Sequence, residues 1–225
     1  MCGRYNIIPK AQEWLDAFEI IQGQEVIENL KPSYNVAPSQ NVPAVRIEEG
    51  QRTACLLRWG LIPFWAKDKK IGYKMINARA ETVAEKPAYR SAFKRHRCLI
   101  PASGFYEWRQ TNGKQPYNIH MKNGRPFAFA GLWEHWEHED EKIESCTIIV
   151  TDGNELMQPI HNRMPVILNQ QDFDLWLDPE MSDKDKLMPL LVPYQGNDLE
   201  AYPVSKAVNT PKNNQPELLK PVEAQ

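Results

Sequence analysis

The feature that most constrains the fold is a series of short, strand-like segments separated by turn signals. The segments VPAVRI and TACLLRW flank EEGQ, a pattern that predicts a hairpin. Further along, GFYEWR, PYNIHM and PFAFAGLW are separated by the pairs Asn112-Gly113 and Asn123-Gly124. Asn-Gly pairs favour the backbone of tight antiparallel turns. The sequence therefore predicts a meander of three consecutive strands within a mainly antiparallel sheet.

Helical patterns are few and short. The segment PKAQEWLDAFEII places Trp14, Phe18 and Ile21 at helical spacing, and Pro9 is suited to the first turn. QDFDLWL and the segment 183–191 also predict short helices. Together with the strand signals, these patterns predict an α+β fold whose core is a curled sheet or open barrel with peripheral helices.

The chain reads as one domain over residues 1–225, because no linker or internal repeat interrupts it. The acidic stretch EHWEHEDEKIE, residues 134–144, is predicted to be a hairpin loop and an unlikely surface for DNA. The proline-rich C-terminal segment is predicted to end in an irregular tail at about residues 210–225.

The four cysteines, Cys2, Cys55, Cys98 and Cys146, are widely spaced and form no C-x-x-C pair. We therefore expect no metal site and no cofactor. Cys55, Cys98 and Cys146 lie in strand-like apolar runs and are interpreted as small core residues in a reducing compartment. No stretch approaches the roughly 18 apolar residues that span a bilayer. We expect a monomer without membrane association, located in the cytoplasm and, in a prokaryote, near the nucleoid.

Charge is unevenly distributed along the chain. The whole chain has a formal net charge of −2, yet residues 67–97 contain ten Lys or Arg against Asp68, Glu81 and Glu85. That segment has a net charge of +7, which is what a localised phosphate-binding face needs. A solvated basic helix is the alternative interpretation, and this signal alone favours it.

Cys2 follows the initiator methionine, and a small second residue permits removal of Met1. Cys2 would then carry a free α-amino group and a thiol on adjacent carbons, with ordinary pKa values near ~7.7–8.0 and ~8.5. Such a 1,2-aminothiol captures aldehydes, because the amine forms an imine and the thiolate closes it to a thiazolidine. The second step is intramolecular and therefore strongly favoured. Many chains begin Met-Cys by chance, so the pattern alone does not establish this chemistry.

Three further segments place polar groups in apolar surroundings. In MINARAET, Asn77 and Arg79 would share one face of an extended segment. In SGFYEW, Glu107 shares a strand face with Phe105, where desolvation would raise the pKa of its carboxyl. In QPIHNRMPVIL, His161 and Arg163 precede a short apolar strand. Each residue taken singly has an ordinary structural interpretation.

Taken together, these segments resemble a family. In order, MCGRY, YNVAPSQ, WGLIPFW, INARAET, CLIPASGFYEW, TIIVTDGN, IHNRMPVIL and PVSKAVN are similar to the motifs of the SOS response-associated peptidase family, the abasic-site processing proteins. The resemblance covers nearly the whole chain. The chain departs from the family in carrying one Trp, Trp65, after Pro63 and a longer lysine-rich loop at residues 66–74.

The resemblance implies a role for particular residues. Cys2 would be the nucleophile that links covalently to abasic sites in single-stranded DNA. Asn77 would hold the adduct, Glu107 would transfer protons during sugar ring opening, and His161 would orient the open sugar and exchange a proton with its departing oxygen. The residues implied to bind DNA are Arg4, Pro38, Trp65, Arg79, Thr151 and Arg163. Among these, the arginines would contact phosphates, and Pro38 and Trp65 would stack on neighbouring bases.

Three alternatives stay open. N-terminal-nucleophile glutamine amidotransferases also begin Met-Cys-Gly, although no glutamine-binding pattern follows here. A cysteine peptidase, or an autopeptidase acting at Met1, could use Cys2, Glu107 and His161. A non-covalent reader of modified DNA bases could use the same basic cleft.

Overall fold

The computed structural model describes residues 2–110 and 113–223, which form two packed β-sheets and a few short helices. The strands are β1 (Tyr5–Ile7), β2 (Ser33–Val36), β3 (Asn41–Glu48), β4 (Gln51–Trp59), β5 (Asn77–Arg79), β6 (Arg97–Ala102), β7 (Gly104–Arg109), β8 (Gln115–Met121), β9 (Phe127–His138), β10 (Glu141–Asp152), β11 (Arg163–Pro165), β12 (Ile167–Leu168) and β13 (Leu199–Pro203). The α-helices are α1 (Ala11–Phe18), α2 (Gln24–Glu28), α3 (Arg90–Arg95), α4 (Phe173–Leu177) and α5 (Lys184–Leu187). Short 3-10 helices cover Lys69–Lys74, Ala80–Thr82, Gln170–Asp172, Met188–Leu190, Lys206–Asn209 and Pro216–Leu219.

One sheet closes on itself as a five-stranded barrel. The order β10-β4-β3-β6-β9 returns to β10, and the β4–β10 pair is parallel while the other pairs are antiparallel. Strands β5 and β11 extend the sheet beside β10, and β12 pairs with β9. The predicted α+β class is confirmed, and the barrel is closed rather than open.

The second sheet has the order β13-β8-β7-β1-β2, with every pair antiparallel. It packs on the barrel through aromatic side chains. The Tyr5 ring lies 5.3 Å from Trp59 and 5.7 Å from Phe129, and Phe105 lies 6.0 Å from Phe129. Tyr5 and Phe105 are paired across β1 and β7, so the contact with the barrel fixes both strands.

The predicted three-strand meander is only half correct. Strands β7 and β8 are paired as predicted, although Asn112 of their turn lies outside the described residues. The turn at Asn123-Gly124 instead leads from β8 in the second sheet to β9 in the barrel. Asn123 accepts a hydrogen bond from the Arg125 N–H at 3.0 Å, and Pro126 has no N–H to continue the pairing. The turn is therefore local and does not set strand order.

The acidic stretch 134–144 is not a loop. Strands β9 and β10 continue through it as one long hairpin, from Ile148 opposite Gly131 to Glu141 opposite His138. The Trp136 side chain is buried, and its indole N–H donates to the Ala66 carbonyl at 2.7 Å. Buried side chains at alternate positions keep this segment packed on the protein, although its many charged residues indicated a solvent-exposed loop.

The helix predicted from Pro9 to Ile21 is shorter than expected. Helix α1 begins at Ala11 and ends at Phe18, because Glu19 takes a left-handed backbone with φ of 51°. Trp14 and Phe18 are buried as predicted, whereas Ile21 is 59% exposed. The predicted short helices near 173–177 and 184–187 are present. The tail is less irregular than predicted, since Leu218 is buried within a 3-10 helix.

The cysteine predictions are confirmed for the strand residues. Cys98 and Cys146 are buried in β6 and β10, Cys55 is half-buried in β4, and all three are free thiols. No helix within the described residues combines the length and apolar character that crossing a bilayer requires.

Arg97 joins the helices to the barrel and is 2% exposed. Its guanidinium donates to the carbonyls of Trp176 at 2.6 Å, Phe93 at 2.6 Å and Met181 at 2.8 Å, and also to that of Asp178. Burial lowers the pKa of Arg97 to about 10. Arg97 therefore serves as a buried structural cation. It does not contribute to the basic surface that the sequence predicted for residues 67–97.

We expect Arg97→Met to lower the free energy of unfolding by about 3 kcal/mol, because several buried carbonyls lose their donor. Arg97→Lys retains the charge without the fork of donors and should fall between Met and wild type. Chemical denaturation measures both variants. Unfolding of Arg97→Met at the wild-type denaturant concentration would contradict this assignment.

Candidate functional site

The position of Cys2 is set by the strand that follows it. Tyr106 of β7 donates its backbone N–H to the Arg4 carbonyl at 3.0 Å, and β1 and β7 run antiparallel with Tyr5 opposite Phe105. Continuing that register places the start of the chain beside Glu107. The Cys2 side chain is fully buried, and its thiol lies 3.9 Å from the Arg4 carbonyl.

Glu107 and His161 line the same cavity, of about 380 Å³. Glu107 comes from β7, whereas His161 comes from the loop that joins β10 to β11. The other residues that line this cavity are Trp108, Gln110, Lys114 and Asn209. The structure therefore brings together two residues that are 54 positions apart in the chain, as the sequence predicted, beside the start of β1.

Glu107 is 2% exposed, and burial raises the pKa of its carboxyl. The sequence prediction of a desolvated carboxyl on the Phe105 face of its strand is thereby confirmed. A carboxyl with a raised pKa holds its proton more readily and releases it closer to neutral pH, which suits acid and base chemistry.

Burial raises the pKa of the Cys2 thiol well above its ordinary value, and the charge of nearby Glu107 raises it further. This shift applies to the chain that carries Met1, whereas the sequence-based expectation concerns a Cys2 with a free α-amino group and stays a prediction. A nearby base has to accept the thiol proton when the sulfur reacts.

His161 is held in one tautomer by its own loop. Its Nδ1 accepts the Arg163 N–H at 3.0 Å, and its backbone N–H donates to the Met157 carbonyl at 2.8 Å. Accepting at Nδ1 requires a lone pair there, so the ring proton of the neutral imidazole is on Nε2. Burial lowers the pKa of His161, which favours that neutral form at pH 7.

Asn77 lies on β5 rather than among the residues that line the cavity. Its Oδ1 is buried and accepts no hydrogen bond from the described residues, while its Nδ2 donates to the Ile76 carbonyl at 3.0 Å. The indole of Trp59, which packs on Tyr5, donates to the same Ile76 carbonyl at 2.9 Å. Asn77 is thus linked, through the Ile76 carbonyl and Trp59, to the strand that follows Cys2, and its Oδ1 is an acceptor that no described residue uses.

The three arginines implied to bind phosphates differ in their surroundings. Arg79 is exposed at the end of β5. Arg163 pairs with Glu81 and lies 3.5 Å from the Asp152 carboxylate. Arg4 donates to Asn35 Oδ1 at 2.9 Å and to the carbonyls of Val208 and Asn209.

Through these hydrogen bonds, Arg4 connects the N-terminal segment to the C-terminal part of the chain. Asn35, which is 1% exposed, supports this tie by donating to the carbonyls of Val208, Thr210 and Asn213. Asn209 in turn accepts the Trp108 indole N–H at 2.7 Å in the cavity wall. This segment builds one side of the site.

The remaining implied DNA contacts are dispersed. Pro38 is half-buried in the turn after β2, where Ser39 donates its backbone N–H to the Trp59 carbonyl at 2.8 Å. Thr151 is 6% exposed on β10. Trp65 is 49% exposed and lines a separate groove against α3.

Sequence reasoning missed three polar residues in the cavity lining, Gln110, Lys114 and Asn209. Asn209 lies within the PVSKAVN motif, which the family resemblance includes without implying a role for Asn209. Gln110 and Lys114 flank the turn of the β7–β8 hairpin, and nothing in their local sequence separates them from other surface residues. Within the described residues, no group of three His, Cys, Asp or Glu side chains is arranged to hold a metal ion.

Residues 1–211 of the chain match the profile of the SOS response associated peptidase (SRAP) family. The chain is 50% identical over 222 residues to the abasic site processing protein YoqW of Bacillus subtilis, covering 97% of this chain and 99% of that protein. It is 36% identical over 226 residues to the abasic site processing protein HMCES of Xenopus tropicalis, covering 85% of this chain and 67% of that protein.

Among solved structures, a protein from Bacteroides thetaiotaomicron superimposes with a TM-score of 0.87 at 28% identity, covering 99% of this chain and all of that one. The profile match, the sequence identities and the shared fold all span nearly the whole chain. The chain therefore belongs to the SOS response associated peptidase family.

Proposed function

We propose that this protein captures abasic sites in single-stranded DNA as a covalent thiazolidine adduct with Cys2, which shields the lesion. The observation that carries the proposal is that Glu107 and His161 line one cavity, while Glu107 also lies close enough to the buried Cys2 to raise the pKa of its thiol. Removal of Met1 supplies the free amine that this chemistry needs. No cofactor is part of the proposal.

The first bond forms between the Cys2 nitrogen and the C1′ aldehyde of the open abasic sugar. Loss of water from the resulting carbinolamine gives an imine. The sulfur reacts second, because the five-membered ring closes on the imine carbon.

The second bond forms between Cys2 Sγ and the imine carbon. The thiol proton passes to a base, and a proton is delivered to the imine nitrogen, so the five-membered ring contains a secondary amine. The overall change is aldehyde plus aminothiol giving thiazolidine plus one water. Because this closure is intramolecular, the ring is favoured over hydrolysis of the imine.

Glu107 and His161 serve the proton transfers. Glu107 takes the proton from the C1′ hydroxyl of the closed sugar and passes it to O4′ as the C1′–O4′ bond breaks, while the Nε2–H of His161 forms a hydrogen bond to that oxygen. Glu107, ionised again, later takes the proton of the nearby Cys2 thiol and passes it to the imine nitrogen. Asn77 offers its unused Oδ1 to the adduct.

Phosphates flanking the lesion are assigned to Arg79 and Arg163, with Arg4 positioning the chain start. Pro38, Trp65 and Thr151 are proposed to contact neighbouring nucleotides. Single strands are the preferred substrate, since placing an abasic site from a duplex in the cavity costs a few kcal/mol of unstacking.

An autopeptidase that removes Met1 with the same residues is the second candidate. The position of Glu107 beside Cys2, the residue that follows Met1, favours this second candidate.

Cys2→Ala should abolish an adduct that survives heat and denaturant, because both new bonds require the aminothiol. Cys55→Ala removes another free thiol and is the matched control, with adduct expected at the wild-type level. Intact mass before and after incubation with abasic single-stranded DNA measures Met1 removal and adduct together. Undiminished adduct from Cys2→Ala would falsify the assignment and favour a non-covalent reader or another nucleophile.

Glu107→Gln should slow adduct formation by up to ~10²–10⁴-fold at unchanged DNA affinity, as expected for a lost acid or base. The raised folded-state pKa means that ionised Glu107 costs stability at every pH above its unfolded pKa. The variant should therefore be at least as stable as wild type at pH 7, by thermal unfolding. A destabilised variant with a normal rate on bound DNA would make Glu107 structural.

His161→Ala should slow adduct formation, and the pH profile should separate a chemical role from a packing role. Because burial lowers the pKa of His161, its titration should appear in the wild-type rate below pH ~6.5. This limb should vanish in the variant and persist in the control His135→Ala, whose side chain is 47% exposed on the hairpin. A pH profile identical to wild type would exclude His161 from the proton transfers.

A further inference from the structure

We propose that Asn154 is a positioning residue for the capture reaction, because it fixes the loop 153–162, which presents His161 to the cavity. This inference rests on the proposed function, in which the Nε2–H of His161 forms a hydrogen bond to the ring oxygen of the sugar. Asn154 ends the TIIVTDGN motif, of which the proposed function uses Thr151. Asn154 is not among the residues that line the cavity, so it acts on the reaction through the loop.

The two ends of this loop are closed by backbone pairing. Strands β10 and β11 run antiparallel with Asp152 opposite Arg163, and the Gly153 N–H donates to the Asn162 carbonyl at 2.9 Å. A Cβ atom on residue 153 would lie 2.8 Å from the His161 carbonyl oxygen, so glycine is needed for the two backbones to approach this closely. The ends of the loop are therefore fixed, whereas its middle needs a different support.

Asn154 begins the turn that forms the middle of the loop. Its Oδ1 accepts the Met157 N–H at 3.1 Å, and its carbonyl accepts the N–H groups of Met157 at 3.0 Å and Gln158 at 2.9 Å. A side-chain oxygen that accepts from the backbone three residues on stabilises a turn as an N-cap stabilises the start of a helix. The Met157 side chain is fully buried, so the turn is also packed against the core.

The same turn sets the backbone of His161. The Met157 carbonyl accepts the N–H groups of Ile160 and His161, both at 2.8 Å. The Nδ1 atom of His161 in turn accepts the Arg163 N–H at 3.0 Å, which orients the ring and leaves its proton on Nε2. Asn154 therefore holds Met157 in place, and Met157 sets the point from which the His161 ring projects.

The amide nitrogen of Asn154 also connects the loop to a segment outside it. Its Nδ2 donates to the Tyr194 carbonyl at 2.9 Å, and the Tyr194 hydroxyl donates to Asp198 Oδ1 at 2.8 Å. The Asn154 side chain thus uses its acceptor within the loop and its donor outside the loop. Aspartate at this position would keep the acceptor alone, and alanine would keep neither, so substitution separates the two contacts.

A groove behind the loop makes the second contact important. The groove has a volume of about 940 Å³ and lies between loop 153–162 and segment 193–199, with Asn154 and Tyr194 both in its lining. Segments with few packed neighbours open at a low cost in free energy. Without the Asn154 side chain, the middle of the loop can move into this groove and carry His161 away from the cavity.

Such a movement matters because a proton donor acts only within hydrogen-bond reach of its acceptor, at about 2.6–3.2 Å between heavy atoms. A displacement of about 1 Å that originates away from the reacting atoms can slow a reaction by ~10²-fold. The position of the His161 ring is therefore as important to the rate as its chemistry.

The first test compares single variants. Asn154→Ala should slow adduct formation on bound DNA by about 10–100-fold at unchanged DNA affinity, and Asn154→Asp should lie between Ala and wild type. Asn123→Ala is the matched control, because Asn123 Oδ1 accepts the Arg125 N–H at 3.0 Å in a turn that is not part of the site. Capture rates at saturating and limiting abasic single-stranded DNA separate rate from affinity. A wild-type rate for Asn154→Ala would overturn the proposal.

The second test asks whether Asn154 acts through His161. In the His161→Ala background, Asn154→Ala should cause no further slowing, because the side chain that it positions is already absent. Thermal unfolding checks that the single and double variants are folded at the assay temperature. If the two slowing factors multiply, Asn154 acts by another route and the inference is wrong.

The third test follows the His161 ring by NMR and needs no DNA. Wild type should show one neutral tautomer with the proton on Nε2, and His161→Ala identifies the signal. Asn154→Ala should give a mixture of tautomers and a pKa closer to the ordinary value, since the ring becomes more solvated. Identical ring signals in Asn154→Ala and wild type would contradict the positioning role. Absence of adduct in wild type, with ring signals that respond to Asn154→Ala, would contradict the proposed function instead.

Discussion

The site depends on the pairing of the first strand between two others. Chain termini usually fray, because their backbone has few partners. Here β1 lies between β2 and β7, and Tyr5 packs into the interface with the barrel. The buried Asn6 side chain donates to Asn118 Oδ1 at 2.9 Å, across the width of β7. These contacts place Cys2 at a fixed point of the sheet, which is the condition for any chemistry that uses a chain start.

This placement has an electrostatic consequence. Cys2 and Glu107 are both buried, and each would ionise more easily in water. Burial favours the neutral form of each group, and the proximity of the two groups favours it further for the thiol. The fold therefore holds two groups with raised pKa values side by side in a low-dielectric site. Stabilisation from the aromatic interface and the Arg4 contacts, which lie outside the reacting atoms, offsets the cost of this arrangement.

The sequence predicted the fold class, the β3–β4 hairpin and the free core cysteines, whereas Glu107 and His161 were named by the family resemblance and not by a local pattern. Local signals carried the predictions of strands and turns, since alternation and turn chemistry depend on near neighbours. The failures were long-range. The sequence predicts the turn at Asn123-Gly124 correctly. It does not predict which of the two sheets the next strand joins. The Cys2 pKa was likewise unpredictable, because burial is decided by strands far away in sequence.

Charge shows the same limit most clearly. Counting residues assigned a net charge of +7 to the segment 67–97, as if every cation faced one partner. The fold removes Arg97 to bind buried carbonyls and pairs Lys69 with Glu141 on the acidic hairpin. What reaches the surface at α3 is a smaller set of cations, in a groove that Phe64 and Trp65 also line. Which cations of the segment face solvent is therefore decided by long-range partners such as the buried carbonyls and Glu141, which no count of basic residues can reveal.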